Sequence, residues 1–122
     1  MKKYLVIGNP IEHSLSPQLH NYWIKTNMIK ATYAKMKITN DQIKNLILEI
    51  KGGKINGANI TVPFKQDVIP YLDHLSDEAN KTQSVNTILL KDDKTVGHNT
   101  DIEGFEYSVK FNKIDLKNKN IF

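Results

Sequence analysis

The chain has 122 residues and no cysteine, which bounds it to one domain without disulfides and excludes thiolate chemistry and Cys-type zinc sites. Its net charge of +4 comes from 17 lysines, spread along the chain, and no arginine; without the guanidinium fork that reads guanine and phosphate, no nucleic-acid partner is expected. No apolar run approaches a membrane span, and Met1-Lys2-Lys3 leads straight into a strand, so no membrane contact and a cytoplasmic location are expected.

Residues 4–7 (Tyr-Leu-Val-Ile) form a continuous apolar run ending at Gly8, the pattern of a strand buried on both faces. After Gly8-Asn9-Pro10 the loop 11–16 leads to Ser16-Pro17, which predicts a helix with serine at the N-cap and proline at the first helical position. Leu19, Tyr22 and Trp23, with Ile24 beside them, supply its expected apolar stripe. Residues 32–38 alternate as a second strand. Thr39-Asn40-Asp41 then cap a helix with Ile43, Leu46, Ile47 and Ile50 at helical spacing, which Gly52-Gly53 stop. Asn59-Ile60-Thr61-Val62 alternates as a third strand, ended by Pro63. Residues 64–69 read as one or two helical turns closed by Pro70, a helix is expected over 77–81, and 84–90 and 95–99 form a hairpin around the polar turn 91–94. A last helix is expected over 101–111. Strands alternating with helices and then a hairpin predict an α/β domain of three layers, α/β/α, with a mixed, mainly parallel twisted sheet of about six strands.

The expected strand ends carry the polar residues. Lys65 follows a strand at the edge of the sheet where open α/β folds bind ligands. At the start of a helical turn it sits in a positive field that favours its neutral form, which suits proton transfer; the alternative is one more solvated surface lysine. Ser14 and Ser16, Asn59 with Thr61, Asn86, and Asn99 with Asp101 occupy the other junctions. Each has a structural alternative: Ser16 as a helix cap, Asp101 in a favourable first turn, Asn86 and Asn99 as turn residues. Most of them would fall on one rim of a parallel sheet. Hydroxyls, amides, one cation and one carboxylate together suit a small, polyhydroxylated, anionic ligand, with Lys65 and Asp101 as an acid/base pair. Glycines at 8, 52, 53, 57, 97 and 104 leave no G-x-G-x-x-G turn and no P-loop, and histidines at 13, 20, 74 and 98 lack metal-site spacing, so no metal is expected.

Four motifs in order, GNPIEHSLSPQLHN at 8–21, GANITVPFK at 57–65, SVNT at 84–87 and GHNTDIEG at 97–104, resemble the substrate-binding half of the shikimate dehydrogenase family. The resemblance implies reversible reduction of 3-dehydroshikimate to shikimate with NADPH, in aromatic amino-acid biosynthesis. It implies that Ser14 and Ser16 hold the substrate carboxylate, and that Asn59, Thr61, Asn86 and Asp101 bind ring hydroxyls. Lys65 and Asp101 would be catalytic, and Asp77 in LSDEA would face the cofactor cleft. Serine at both 14 and 16 fits shikimate better than quinate. It further implies that 1–111 form the shikimate-binding catalytic domain and that 112–122 are a linker and the start of the first strand of an NADP-binding Rossmann domain. The chain alone would then bind substrate without turnover, partnered by that C-terminal domain, with a homodimer of the complete enzyme left open. Gln83-Ser84 stand where the family usually has Gly-Ala, which would displace the Asn86 loop slightly. The alternatives are a stand-alone, non-catalytic shikimate/quinate-binding module and the substrate domain of a quinate/shikimate dehydrogenase.

Overall fold

Along the first strand the apolar residues alternate between two buried clusters: Leu5 and Ile7 belong to one, Val6 and half-buried Tyr4 to the other. A strand that is apolar on both faces needs a cover on each, and this requirement sets the architecture. The computed structural model describes residues 1–100; Asp101, the helix expected over 101–111 and the linker at 112–122 lie outside the described residues.

The elements are β1 (Lys2–Gly8), α1 (Ser16–Thr26), β2 (Ala31–Lys37), α2 (Ile43–Lys51), β3 (Gly57–Ile60), β4 (His74–Leu75), α3 (Asp77–Thr82), β5 (Thr87–Lys91) and β6 (Lys94–His98). Six strands form one sheet in the order β2-β1-β3-β5-β6-β4. β1 runs parallel to β2 and β3, and β4 to β6, whereas β5 is antiparallel to both β3 and β6. Five strands therefore point one way and β5 alone is reversed, the mixed, mainly parallel sheet of the expectation. α2 buries Ile43, Leu46, Ile47 and Ile50 against the Leu5 and Ile7 face, as their spacing predicted. Ile24 of α1 packs on the Val6 face, which completes three layers. At the end of α2, Gly53 takes φ +84°, the left-handed stop that glycine adopts without steric cost.

Several elements depart from their sequence patterns. Leu15, not Ser16, occupies the N-cap of α1, and the Ser14 hydroxyl instead accepts the Ser16 N–H at 3.3 Å. The expected stripe of α1 faces out: Leu19, Tyr22 and Trp23 are 50%, 65% and 48% exposed. The helix turns its His20, Asn21 and Ile24 side to the sheet because Asn21 bonds both backbone groups of Tyr33, Nδ2 donating to O at 2.8 Å and Oδ1 accepting from N at 3.2 Å. Hydrophobicity alone cannot anticipate a face chosen by side-chain hydrogen bonds. β3 ends at Ile60, leaving Val62 62% exposed. Residues 65–68 form turns rather than a helix, and Pro70 lies inside a short 3-10 segment, Ile69–Tyr71, instead of closing one. The two-residue strand β4, too short to show a period, escapes the pattern reading altogether. In the hairpin turn Asp92 and Asp93 both have positive φ, the geometry a two-residue turn needs to match strand twist.

The outer strands are fastened by Asp73. Its Oδ2 accepts from the Thr95 N–H at 2.9 Å and the Thr95 hydroxyl at 3.2 Å, with Lys51 Nζ at 3.4 Å. The Thr95 N–H, chiefly, holds the carboxyl below its ordinary value of 3.8. A group whose folded pKa is depressed stabilises the fold above its unfolded pKa and loses that stabilisation as pH falls through the folded one. Asp73→Asn is therefore expected to lower the melting temperature at pH 7 and to flatten the acid limb below about pH 4. Parallel acid limbs in both proteins would refute this role for Asp73.

Candidate functional site

Because β5 is reversed, its N-terminal end lies on the same rim as the C-terminal ends of β1, β3 and β6. Backbone bonds stitch this rim together: Thr61 N–H to Ile7 O at 2.9 Å, Asn9 N–H to Val62 O at 3.1 Å, Ile60 N–H to Asn86 O at 2.8 Å and Asn86 N–H to His98 O at 3.0 Å. The rim thus collects Ser14 and Ser16 after β1, Asn59 and Thr61 at the end of β3, Asn86 before β5 and Thr100 after β6. Lys65 joins them because its carbonyl accepts the Val85 N–H at 2.8 Å and because Phe64 beside it is buried in the core. No helix begins at Lys65, so the dipole its sequence context suggested is not formed.

A cavity of about 240 Å³ opens beside the loop after β1, lined by Val6, Ile11, His13, Ser14, Ser16 and Thr61, with Pro10. One wall is thus apolar and the other carries hydroxyls and an imidazole. Gly8 is required here: a Cβ at this position would stand 2.5 Å from Thr61 Cγ2 and 3.2 Å from Val62 O, so any side chain would push Thr61 out of place. The loop itself is tied down from β2, where Lys35 Nζ donates to Glu12 O at 2.8 Å. A second, larger and mostly apolar cleft of about 370 Å³ lies along α1, with Tyr33, Asn59 and Thr87 at its polar end.

Asn59 is half-buried and well engaged. Its Oδ1 accepts the Tyr33 hydroxyl at 2.6 Å, and its Nδ2 donates to Thr87 Oγ1 at 3.2 Å and towards Asn86 O at 3.5 Å. The register explains the meeting: Asn59 pairs with Val6 on one side and Thr87 on the other, and Tyr33 reaches over from β2 on the same face. Burial pushes the Tyr33 phenol up to about 12, against a pull downwards from the nearby Ser16 hydroxyl. His20 stacks on the Tyr33 ring with centroids 4.2 Å apart, and burial lowers its pKa.

Asn86 does more than bond its own turn. Its Nδ2 donates to Thr100 Oγ1 at 2.9 Å and its Oδ1 accepts the Thr100 N–H at 3.1 Å, which latches the residue before Asp101 to the rim. Asn99 is structural: buried, it donates to Thr82 Oγ1 at 3.1 Å and Ser84 O at 3.2 Å. Gln83 takes φ +52°, a left-handed conformation that glycine adopts more readily, and its side chain bonds back to Asn80 O at 2.6 Å. Asp77 is exposed in the first turn of α3, two residues past the C-terminal end of the edge strand β4, which runs parallel to β6. The structure therefore brings Ser14, Ser16, Asn59, Thr61, Lys65 and Asn86 to one rim; Asp101 lies outside the described residues. Sequence reasoning missed His13, Tyr33 and Thr87 as site residues, although His13 and Thr87 stand inside two of the motifs and Tyr33 inside the alternating strand 32–38. Among the described residues no group of three His, Cys, Asp or Glu is placed to hold a metal ion, and no helix is long and apolar enough to cross a membrane.

Comparison with known proteins identifies the family. Residues 6–88 match the family of the shikimate dehydrogenase substrate binding domain. A shikimate dehydrogenase (NADP(+)) of Pelagibacter ubique (strain HTCC1062) is 57% identical over 97% of this chain and 44% of its own length. Among solved structures, shikimate dehydrogenase 1 of Peptoclostridium difficile superposes with a TM-score of 0.86 at 36% identity, over 95% of this chain and 44% of that one. A Thermus thermophilus shikimate 5-dehydrogenase in complex with shikimate does so with a TM-score of 0.88 at 30% identity, over 98% and 46%. The chain thus spans less than half the length of the relatives it matches.

Proposed function

The chain belongs to the shikimate dehydrogenase substrate-binding domain family, and from that membership we propose that it is the substrate-binding half of an NADP-dependent shikimate dehydrogenase acting in the cytoplasm. Residues 1–111 form the substrate domain in this reading, and 112–122 lead towards a separate NADP-binding domain. The observation that carries the proposal is the cavity at the rim, where Ser14, Ser16 and Thr61 converge, opposite an apolar wall, on a space of small-metabolite size.

Ser14 and Ser16 donate to the substrate carboxylate, which in a chain without arginine has no guanidinium to turn to. Thr61, Asn59 and Asn86 hold the ring hydroxyls. Lys65 supplies the proton to the carbonyl oxygen of 3-dehydroshikimate as that carbon becomes an alcohol. Asp101, proposed from its motif, pairs with Lys65, and the Asn86–Thr100 latch fixes the residue just before it. A dinucleotide does not fit the described residues: they contain no glycine-rich turn, and the first turn of α3 carries Asp77 and Glu78, which repel a pyrophosphate. Asp77 is accordingly assigned to the edge of the cofactor cleft and not to phosphate binding.

Titration of the ¹⁵N-labelled chain with shikimate tests the assignment. Shikimate has about 12 heavy atoms, and at roughly 0.3–0.6 kcal/mol per atom the dissociation constant falls between about 1 mM and about 10 μM. Shifts are expected around Ser14, Ser16, Thr61, Lys65 and Asn86, with quinate binding more weakly. Ser14→Ala removes a hydrogen bond to a charged group and weakens binding about tenfold or more. A spectrum unchanged at millimolar shikimate would remove the substrate assignment.

A further inference from the structure

A row of polar side chains crosses the sheet beneath the rim, and elementary chemistry fixes the direction of the hydrogen bonds that link Tyr33, Asn59, Thr87, Asn86 and Thr100. The Thr100 backbone N–H can only donate, so the Asn86 atom facing it is Oδ1. The same Oδ1 faces Thr87 Oγ1 at 3.1 Å, so the single Thr87 proton points to Asn86. Thr87 must then accept from Asn59, whose Nδ2 also faces the carbonyl of Asn86. That orientation turns Asn59 Oδ1 towards Tyr33, whose hydroxyl must donate to it across 2.6 Å. Protons therefore run one way, from Tyr33 to Asn59, Thr87 and Asn86, and Asn86 closes the row on the Thr100 hydroxyl at 2.9 Å.

Tyr33 is built to head this row. Asn21 clamps its backbone from α1, His20 stacks on its ring, and the side chain is buried. We propose that Tyr33 is a positioning residue: its hydroxyl locks the Asn59 amide and, through Thr87, sets the Asn86–Thr100 latch at the far end of the rim. Two residues that hold the ligand are thereby coupled to a side chain that lines the neighbouring cleft along α1. The consequence for substrate rests on the function proposed above; the consequence for the two amides does not.

Tyr33→Phe keeps the ring, the stack and the backbone clamp and removes the hydroxyl, which donates to Asn59 and also faces the Ser16 hydroxyl, so the amide spectrum and not affinity alone reads the row. The test is the ¹⁵N spectrum of the 122-residue chain without ligand. Y33F is expected to shift or broaden the Asn59 side-chain amide and, less strongly, the Asn86 side-chain amide and the Thr100 backbone N–H. Thr87→Val removes the hydroxyl step and leaves only the long 3.5 Å contact of Asn59 Nδ2 with the Asn86 carbonyl, so adding Y33F should move Asn59 while leaving the Asn86 side-chain amide and the Thr100 N–H close to where T87V alone puts them. Shikimate affinity should fall about three- to tenfold in Y33F, the size expected for one lost hydrogen bond. A core variant of matched melting temperature, such as Ile47→Val, should keep full affinity. Unmoved Asn59 and Asn86 amides in Y33F would overturn the proposal, as would an affinity loss no larger than that of the core variant. If the unaltered chain fails to bind shikimate, the functional assignment falls, and the amide pattern still decides the positioning role.

Discussion

Lys65→Ala in the complete dehydrogenase is expected to lower kcat by about 10²–10⁴-fold while KM stays within a few-fold of its original value. In the proposed site the substrate's charge is met elsewhere, by the hydroxyls of Ser14 and Ser16, so binding would lose little when the ammonium is removed. Apart from Lys65, the described rim holds hydroxyls, amides and two imidazoles, His13 on the serine side of the cavity and His98 at the end of β6. Lys65→Arg should not rescue, because guanidinium holds its proton too tightly to act as a general acid. Steady-state kinetics of both variants decide the matter. A rise in KM with kcat unchanged would reassign Lys65 to substrate binding and leave the proton donor to be found elsewhere.

Phe64→Ala should cost about 3–5 kcal/mol of folding stability, a large share of the roughly 5–15 kcal/mol typical of a domain. Phe64 is 3% exposed and packs in the same cluster as Ile60, Val68, Val85 and Ile88. It anchors a stretch with little regular hydrogen bonding: the Phe64 N–H reaches back to Thr61 O at 3.1 Å, and Val68 N–H returns to Phe64 O at 3.2 Å. Emptying that position leaves a cavity beneath the Lys65 turn as well as losing apolar burial. Phe64→Leu, which refills part of the volume, should cost roughly half as much. Urea denaturation measures both. A loss below about 1 kcal/mol for the alanine variant would mean that the surrounding turns collapse to fill the space and that the Lys65 turn is held mainly by its backbone bonds.

These two effects fall on adjacent residues of one motif, and they differ in how legible they were. Phe64 is apolar within a strand-to-turn stretch, and its burial follows from composition and position. Lys65 stands out in the sequence only because of where a strand should end. The structure keeps it at that rim but replaces the expected helical turns with a backbone bond to Val85, a residue 20 positions away. The rim was foreseeable in part, since Gly8 and Pro63 end apolar runs, whereas Asn86 was expected inside the strand 84–90, which instead begins at Thr87. The polar turn of the hairpin implied only that β5 and β6 run oppositely; that β5 is the reversed strand, antiparallel to β3 as well, was decided by the sheet.

What the sequence alone determined is local and periodic. The buried run of β1, the four isoleucine and leucine positions of α2, the glycine stop after it and the hairpin turn all arise from neighbours within a few residues, so spacing and residue type suffice to read them. Only the tertiary structure decided the use of polar residues. His20 and Asn21 turn α1 so that Leu19, Tyr22 and Trp23 face outwards; Asn99 becomes a buried fastener; Tyr33, Thr87 and Asn86 join in one row. The physical reason is that burial of apolar surface is non-directional and leaves a period in the chain, whereas a hydrogen bond is directional and needs a particular partner, which here comes from a strand remote in sequence.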